Sequence, residues 1–305
     1  MLSYIARRLL LMPVSLLLVL GIVFLIVRIT GDPVEIYLGP EATQEQIDLL
    51  RSELQLDRPL WEQFAIFLAD VLRGDFGTSI QHKAAALPLV VERLGATVEL
   101  AAIAFALAIV AGVGLGILAA VRVDRPADFV ISSIAVAGQS MPSFWLGILL
   151  IQLFALDLGW LPTSGRGTAA QLVLPAVTLA TFILPNFVLV TRTAILEIAR
   201  DPFVMAARAR GASEGRILFA HVLPNALNPV ISLAGLQVGR LMGGAVVTES
   251  IFAWPGVGRL IIASVFQRDL PVVVAAVFIV SLTIVVTNLL VDLAQATVDA
   301  RIRLG

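Results

Sequence analysis

The residues most suggestive of a function lie in an arginine-rich loop, residues 198–222, between two apolar stretches. Asp201 followed by Pro202 is typical of a helix start, because aspartate caps the first turn and proline fits the first helical position. Gly211 predicts the end of this helix or a sharp turn. The pattern favours the binding of another protein over any catalytic chemistry.

Two small residues in the expected helix, Ala206 and Ala207, leave a flat patch that a partner's surface can approach closely. A second short helix is expected at about 213–222, before Pro224 at the next apolar stretch. The simpler alternative is that the arginines of this loop only determine the side of the membrane on which it lies.

Residues suited to catalysis or metal binding are scarce. The chain has no cysteine and only two histidines, His82 and His221, neither of which has a second ligand at metal-binding spacing. A phosphate-binding loop needs Gly-Lys-Ser/Thr after a glycine-rich turn, whereas the single lysine, Lys83, lies in Gln-His-Lys-Ala. We therefore expect no enzymatic activity, no metal site and no ATP site of that kind in this chain.

Polar residues inside the apolar stretches are candidates for a solute pathway, because an unpaired polar group is costly in hydrocarbon. Gln237 and Arg240 are three residues apart and share a helix face. Arg240 is expected to lie in a wet vestibule, to reach the outer surface, or to pair with an acid such as Glu249. Three further candidates adjoin prolines in other stretches: Gln139, Ser140 and Asn186. Ordinary hydrogen bonding between helices is the alternative for these residues.

The segment 249–270 contains an aromatic residue and a proline, Trp254 and Pro255. Tryptophan favours the membrane interface, so one interpretation is an interfacial anchor. The other is a short re-entrant helix followed by a loop, for which the segment is long enough.

All of the candidate residues named above lie in predicted membrane spans or in the segments between them. Hydrophobic residues make up 59% and charged residues 14% of the 305 residues, with a mean hydropathy of +0.96, which is typical of a chain embedded in lipid. A span needs roughly 20 apolar residues. Six stretches have that length: 9–29, 97–121, 129–155, 171–196, 223–248 and 271–294. The predicted fold class is an all-α membrane protein with six transmembrane helices.

Two features of these spans predict their shape. Pro185 is expected to kink or interrupt the fourth span, because proline removes a backbone hydrogen bond. Three glycines of the second span, Gly112, Gly114 and Gly116, are typical of close helix packing.

Arginines are concentrated in the segments predicted to lie on one side of the membrane. They occur before the first span, between the second and third, around the loop 198–222, and at the C-terminus: Arg7, Arg8, Arg122, Arg125, Arg192, Arg200, Arg208, Arg210, Arg216, Arg301 and Arg303. Because positive residues accumulate in cytoplasmic loops, both termini and the loop 198–222 are expected in the cytoplasm.

The long segment 31–95 is expected on the opposite side of the membrane, where its 11 acidic residues outnumber its five basic ones. Thr43 is a predicted N-cap with Gln46 three residues later, and apolar spacing over 60–72 predicts a second helix. The segment is either a structured cap or a docking surface. The predicted organisation is 1–30, the N-terminus and first span; 31–95, an extracytoplasmic helical insertion; and 96–305, a five-helix core that includes the loop 198–222.

The loop also matches a known signature: Glu-Ala-Ala, three residues, Gly, nine residues, then Ile-x-Leu-Pro. Here Met205-Ala206-Ala207 is followed by Gly211 and then by His221-Val222-Leu223-Pro224. The spacing agrees at every element, although Met205 and His221 replace the signature's Glu and Ile. In this respect the chain resembles the permease subunits of ATP-binding-cassette importers.

Other stretches resemble the dipeptide/oligopeptide permease family, first-permease type, in the expected order along the chain. They lie at 31–33, 56–60, 73–79, 140–147, 159–165, 249–259 and 288–292. Asp299-Ala300-Arg301 departs from the family's usual Asp-Pro-Arg.

The resemblance implies the type I permease fold of these importers and a location in the bacterial inner membrane. Its implied partners are a second homologous permease, two cytoplasmic ATPase subunits that bind ATP and magnesium, and an extracytoplasmic solute-binding protein; no nucleic acid is involved. The implied ATPase-coupling residues are Met205, Ala206, Ala207, Arg208, Ala209, Arg210 and Gly211. The implied binding-protein contacts are Glu249, Trp254 and Pro255.

The favoured function is thus half of the translocation pathway of an importer for di- and oligopeptides. The same importer type with another cargo remains open: a nickel–chelator complex, glutathione, an opine or an oligosaccharide. A stand-alone secondary transporter is the alternative of a different class, but it predicts paired repeats with broken helices, which the sequence does not display.

Overall fold

The computed structural model describes residues 2–30, 38, 43–53 and 55–298. Within these ranges the chain is helical, apart from turns, loops and a single antiparallel bridge between Thr78 and Ala85. The predicted all-α fold is therefore confirmed. The motif at 31–33, the C-terminal Asp299-Ala300-Arg301 and Arg303 lie outside the described residues.

The helices are numbered here along the chain. They are α1 Leu2–Thr30, α2 Gln44–Glu53, α3 Leu60–Leu72, α4 Ala86–Val121, α5 Pro126–Ser140, α6 Ser143–Asp157, α7 Ala169–Thr181, α8 Leu184–Ile198, α9 Pro202–Ala209, α10 Glu214–Ile251, α11 Val257–Phe266 and α12 Leu270–Val298.

Four helices, α1, α4, α10 and α12, contain segments long and apolar enough to cross a membrane by themselves. Two bent pairs, α5 with α6 and α7 with α8, add two more crossings if each pair is one span. The six predicted spans correspond to this larger number.

Both bent pairs break next to a proline. The α7–α8 pair bends by 52° just before Pro185, as predicted from the missing backbone N–H. The α5–α6 pair bends by 107°, which the sequence analysis did not anticipate. Met141 is extended there, with φ −85° and ψ 128°, because the ring of Pro142 disfavours a helical conformation in the residue before it.

The second short helix expected at 213–222 does not exist as a separate element. The chain is helical without interruption from Glu214 to Ile251, and residues Ile217–Val222 form a π-helical turn. This wider turn directly precedes Pro224, whose ring would otherwise collide with a carbonyl group one turn earlier.

The chain divides into two compact units. Among the described residues, the first comprises Ala96–Pro255 and Val286–Val298, and the second comprises those of Leu2–Gly95 together with Gly256–Val285. Gly256–Val285, which the sequence analysis joined to the core that begins at residue 96, thus belongs with the N-terminal residues.

Within the first unit, α4 packs closely on α8. A Cβ atom at Gly112 would lie 2.6 Å from Phe187 Cβ, and one at Gly116 would lie 2.6 Å from Thr191 Cβ. The four-residue spacing of these glycines is the small-residue pattern that lets membrane helices approach closely. Gly114 has open space instead, so the packing role predicted for it is wrong.

The second unit has its own apolar contacts. Phe24 of α1 packs against Phe64 and Phe67 of α3, with ring centroids 5.3 and 5.5 Å apart. The predicted cap of α2 is formed: the Gln46 backbone N–H donates to Thr43 Oγ1 at 3.4 Å, and the Thr43 N–H donates to Gln46 Oε1 at 3.0 Å. The predicted bounds of α3 are also confirmed.

Replacing Gly116 with alanine is expected to destabilise the chain, whereas the same change at Gly114 is not. The new Cβ at position 116 would also meet the Val188 carbonyl oxygen at 2.8 Å, and overpacking of this kind costs about 1–3 kcal/mol. We expect Gly116→Ala to lower the melting temperature of the detergent-solubilised chain and Gly114→Ala to leave it unchanged or slightly raised. Equal melting temperatures for the two variants would contradict this packing.

Candidate functional site

The arginine-rich loop folds as predicted into a short helix, α9, with Asp201 at the N-cap position, Pro202 in the first turn and a chain reversal at Gly211. Gly211 has φ +82°, a conformation that glycine adopts without strain. The Asp201 side chain makes no capping hydrogen bond, so only its backbone position agrees with the prediction.

One side of α9 is buried in the first unit. Val204 is fully buried and Ala207 is 2% exposed. Both belong to one apolar cluster, here called the α9 cluster, with residues of α4, α8 and α10: Ala120, Ala194, Ile195, Ile217, Val222 and Ala226. The prediction that Ala207 offers a flat patch to a partner is therefore wrong, because this side chain anchors the helix.

The other side of α9 is open and partly apolar. Phe203 is 44% exposed and Met205 is 60% exposed, and Ala206 and Ala209 are also exposed. Exposed apolar residues on a short helix whose opposite side is anchored are typical of a surface that binds another protein.

An ion pair closes the turn that follows α9. Arg208 Nε and Nη2 donate to the two carboxylate oxygens of Glu214 at 2.7 and 2.9 Å. These hydrogen bonds raise the pKa of Arg208 above its ordinary value, so the guanidinium stays charged. The pair joins α9 to the first turn of α10, and Arg210 is exposed beside it.

Three of the predicted pathway residues lie at the two helix breaks. Gln139 and Ser140 end α5, and Asn186 is in the first turn of α8. Gln139 Nε2 donates to Asn186 Oδ1 at 2.9 Å, and Gln139 keeps an exposed side chain. Gln139 and Asn186 are therefore in contact. The bond between them is the hydrogen bond between helices that was the alternative to a pathway role.

Gln237 and Arg240, which were expected to share an exposed face of α10, differ in exposure. Gln237 is 1% exposed, so it is not a pathway residue in this structure. Arg240 is exposed, and within the described part of the chain it has no hydrogen bond or ion pair. The expected pairing of Arg240 with Glu249 is not observed.

Two of the three predicted binding-protein contacts are buried. Glu249 is fully buried and accepts a hydrogen bond from Thr97 Oγ1 at 2.7 Å. Trp254 is 1% exposed, and its Nε1–H donates to the Ala96 carbonyl oxygen at 2.8 Å. Other parts of the first unit cover both side chains, so neither is open to a binding protein in this structure, and Trp254 is not open to the membrane interface. Pro255 is partly exposed.

A buried ion pair that was not predicted from the sequence joins α5 to α8. Arg192 Nε and Nη2 donate to Asp128 Oδ1 and Oδ2 at 2.6 and 2.7 Å, and the Asp128 side chain is 6% exposed. Asp128 also accepts hydrogen bonds from the Asp124 backbone N–H and the Ser132 hydroxyl. An arginine within an apolar helix was the available signal, because charges at such positions are usually paired.

A second missed pair involves Glu99 and Arg166. Arg166 donates to Glu99 Oε2 from Nε and Nη2, and its guanidinium lies 5.8 Å from the centre of the Trp254 ring. This pair connects the loop before α7 to α4.

Among the described residues, no group of three or more His, Asp or Glu side chains is placed to hold a metal ion.

Two family profiles match the chain. The profile described as "Binding-protein-dependent transport system inner membrane component" matches residues 112–304. The profile described as "Binding-prot-dependent transport system membrane comp, N-term" matches residues 1–101.

The chain is similar to curated proteins along its whole length. It is 40% identical over 304 residues to the glutathione transport system permease protein GsiC of Salmonella choleraesuis (strain SC-B67), with 99% of each chain covered. The protein of the same name from Escherichia coli (strain K12) is 38% identical with the same coverage.

Solved structures share the fold. A chain of the inward-facing MetNI methionine ABC transporter (CY5 native crystal form) has a TM-score of 0.57 at 20% identity, covering 69% of this chain and 96% of its own. A chain of an amino acid ABC transporter with histidines has a TM-score of 0.54 at 18% identity, covering 69% and 94%.

Breaking the Asp128–Arg192 pair from one side is expected to destabilise the chain. Asp128→Asn leaves a partly buried guanidinium without its carboxylate, and loss of one partner of a fully buried pair, the upper bound for this case, costs about 3–5 kcal/mol. Asp124→Asn is the matched control, because Asp124 is an exposed carboxylate four residues away whose φ of +61° suits asparagine. We expect only Asp128→Asn to lower the melting temperature strongly, and the double change Asp128→Leu with Arg192→Met to restore part of it. Equal melting temperatures for Asp128→Asn and Asp124→Asn would contradict a structural role of the pair.

Proposed function

The chain belongs to the family of binding-protein-dependent transport system inner membrane components, and on that basis we propose that it forms half of the pathway by which an importer takes up short peptides. It is a permease subunit of an ATP-binding-cassette importer, a multi-pass protein of the inner membrane. The other half of the pathway comes from a second homologous permease. Two ATPase subunits bind ATP and magnesium, and a solute-binding protein delivers the cargo.

The observation that carries this proposal is that one side of α9 is buried while the other is exposed. Its open side, with Phe203, Met205 and Ala206, is exposed and apolar, as a docking surface for an ATPase subunit requires. Its buried side, with Val204 and Ala207, is fixed in the α9 cluster. A partner that moves α9 therefore moves the helices packed against it.

The α9 cluster is the contact through which a movement of α9 would reach the membrane spans. Closely packed apolar side chains transmit displacement because the interior is dense and resists compression. Closure of the ATPase subunits on ATP would shift α9, and the cluster would carry that shift to the ends of α4, α8 and α10. The exposed Arg208–Glu214 pair adds a polar link between α9 and the start of α10.

The arginine distribution supports a topology with both termini and α9 on the cytoplasmic side. The ATPase subunits are cytoplasmic in this arrangement, so α9 lies on the side where they can reach it. The binding protein then meets the opposite surface of the importer.

The pathway residues that we propose in this chain are Gln139, Ser140, Asn186 and Arg240. The first three lie at the breaks of the two bent pairs, where a helix end exposes backbone polar groups that need water or a polar neighbour. Arg240 is an exposed charge in an apolar helix.

Peptide cargo is supported by the full-length similarity to proteins named as glutathione transport permeases. Glutathione is a tripeptide, so this cargo lies within the class of short peptides. Among the alternatives considered from the sequence, glutathione is the one that an observation favours.

A charge on the open side of α9 is expected to uncouple the importer. Ala206→Glu would place a carboxylate in the contact with an ATPase subunit, and a desolvated, unpaired charge costs several kcal/mol, so uptake should fall by at least about tenfold. The measurement is uptake of radiolabelled glutathione by proteoliposomes that contain the complete importer, together with the stimulation of ATP hydrolysis by the loaded binding protein.

Val123→Glu is the matched control for Ala206→Glu. Val123 is 38% exposed in the turn between α4 and α5, a loop on the same proposed side of the membrane. This variant should keep uptake and stimulation within about twofold of wild type, as expected of a surface substitution. Wild-type uptake by Ala206→Glu, with normal amounts of both variants in the membrane, would refute the docking role of α9.

A further inference from the structure

The exposed side of α10 carries an unusual set of residues for a membrane span. Six residues at successive steps of three or four lie along it: Asn228, Ser232, Leu236, Arg240, Gly243 and Val247. This spacing places them on one side of the helix. The stripe thus contains three polar side chains, one of them charged, and a glycine.

The exposed side of α4 within the same unit is different. Its large exposed residues are all apolar: Val98, Ile103, Leu107, Val110, Leu115, Leu118 and Val121. An apolar surface is what hydrocarbon tails require. The contrast indicates that the α10 stripe faces a polar environment rather than lipid.

Arg240 is the residue of this stripe that most requires a polar partner. It lies 16 residues beyond Pro224 and 11 before Ile251, about 24 Å and about 16 Å along the helix axis, so it is far from both points. No carboxylate within the described ranges of the chain pairs with it. One turn further on, a Cβ atom at Gly243 would meet nothing within 4 Å, so the space beside Arg240 is open.

We propose that Arg240 binds a carboxylate of the cargo during passage, so that this chain selects short peptides with a free carboxylate. The planar guanidinium matches a carboxylate with two parallel hydrogen bonds and remains charged at any physiological pH. Leu236 and Val247 flank it on the same stripe and offer apolar contact to the rest of a peptide. This inference rests on the proposed function and adds the chemical group by which the pathway recognises its cargo.

The test uses the complete importer in proteoliposomes with two probes, glutathione and glutathione amidated at both of its carboxylates, that of glycine and that of the γ-glutamyl residue. Each probe is supplied at a concentration that saturates the binding protein, so differences in uptake arise in the permease. Wild type should take up glutathione about tenfold faster than the amide, since a hydrogen-bonded charge pair is worth roughly that factor or more. In Arg240→Gln, glutathione uptake should fall to the rate of the amide.

Two variants serve as controls. Ser232→Gln adds an amide to the same stripe two turns earlier and should retain the preference for the acid. Arg240→Lys keeps the charge without the planar fork and should retain part of the preference. All variants should purify with the second permease and melt at the wild-type temperature.

The outcomes separate this inference from the proposed function. An unchanged preference for the acid in Arg240→Gln, or loss of the second permease from that variant, would overturn the role of Arg240 and leave the importer proposal intact. Uptake by wild type without ATP hydrolysis would refute the importer proposal. Failure of wild type to take up either probe with ATP would refute the peptide cargo and the carboxylate contact together.

Discussion

The contact of Val204 and Ala207 with the α9 cluster is the constraint on which the proposed function depends. A short helix of eight residues is marginal by itself in water, so its position must come from packing. The cluster supplies that packing from three long helices, α4, α8 and α10. It leaves Phe203, Met205 and Ala206 open on the other side of α9. One helix thereby offers a surface to a partner and is rigidly connected to the spans.

Polar pairs within the first unit complement this apolar contact. The Asp128–Arg192 pair joins α5 to α8, and the Thr97–Glu249 hydrogen bond joins α4 to α10. In a low-dielectric environment such bonds are strong, and their directional geometry restricts how the helices can slide. The unit is therefore suited to move as a body when α9 is displaced. Arg240 has no such partner among the described residues, which leaves its guanidinium open to the solute contact that we propose.

Local sequence signals predicted the elements well, whereas burial depended on contacts that no local signal encodes. The bounds of α3, the Thr43 cap, the break at Pro185 and the turn at Gly211 all follow from residue types within a few positions. Helical spacing predicted that Ala206 lies beside Ala207 and that Gln237 lies near Arg240. It could not predict which residue of each pair is buried by other helices. Glu249 and Trp254 were misassigned for the same reason, since Thr97 and Ala96 lie more than 150 residues away in the chain.

The most direct test of the central claim uses the absence of cysteine from this chain. Single cysteines at Met205, on the open side of α9, and at Val123, in the turn before α5, can be labelled with a thiol reagent in the complex with and without the ATPase subunits. We expect the ATPase subunits to slow the labelling of Met205→Cys by at least about tenfold, as burial in a protein interface should, and to leave the labelling of Val123→Cys unaffected. Equal labelling of Met205→Cys in the presence and absence of the ATPase subunits would contradict the central claim.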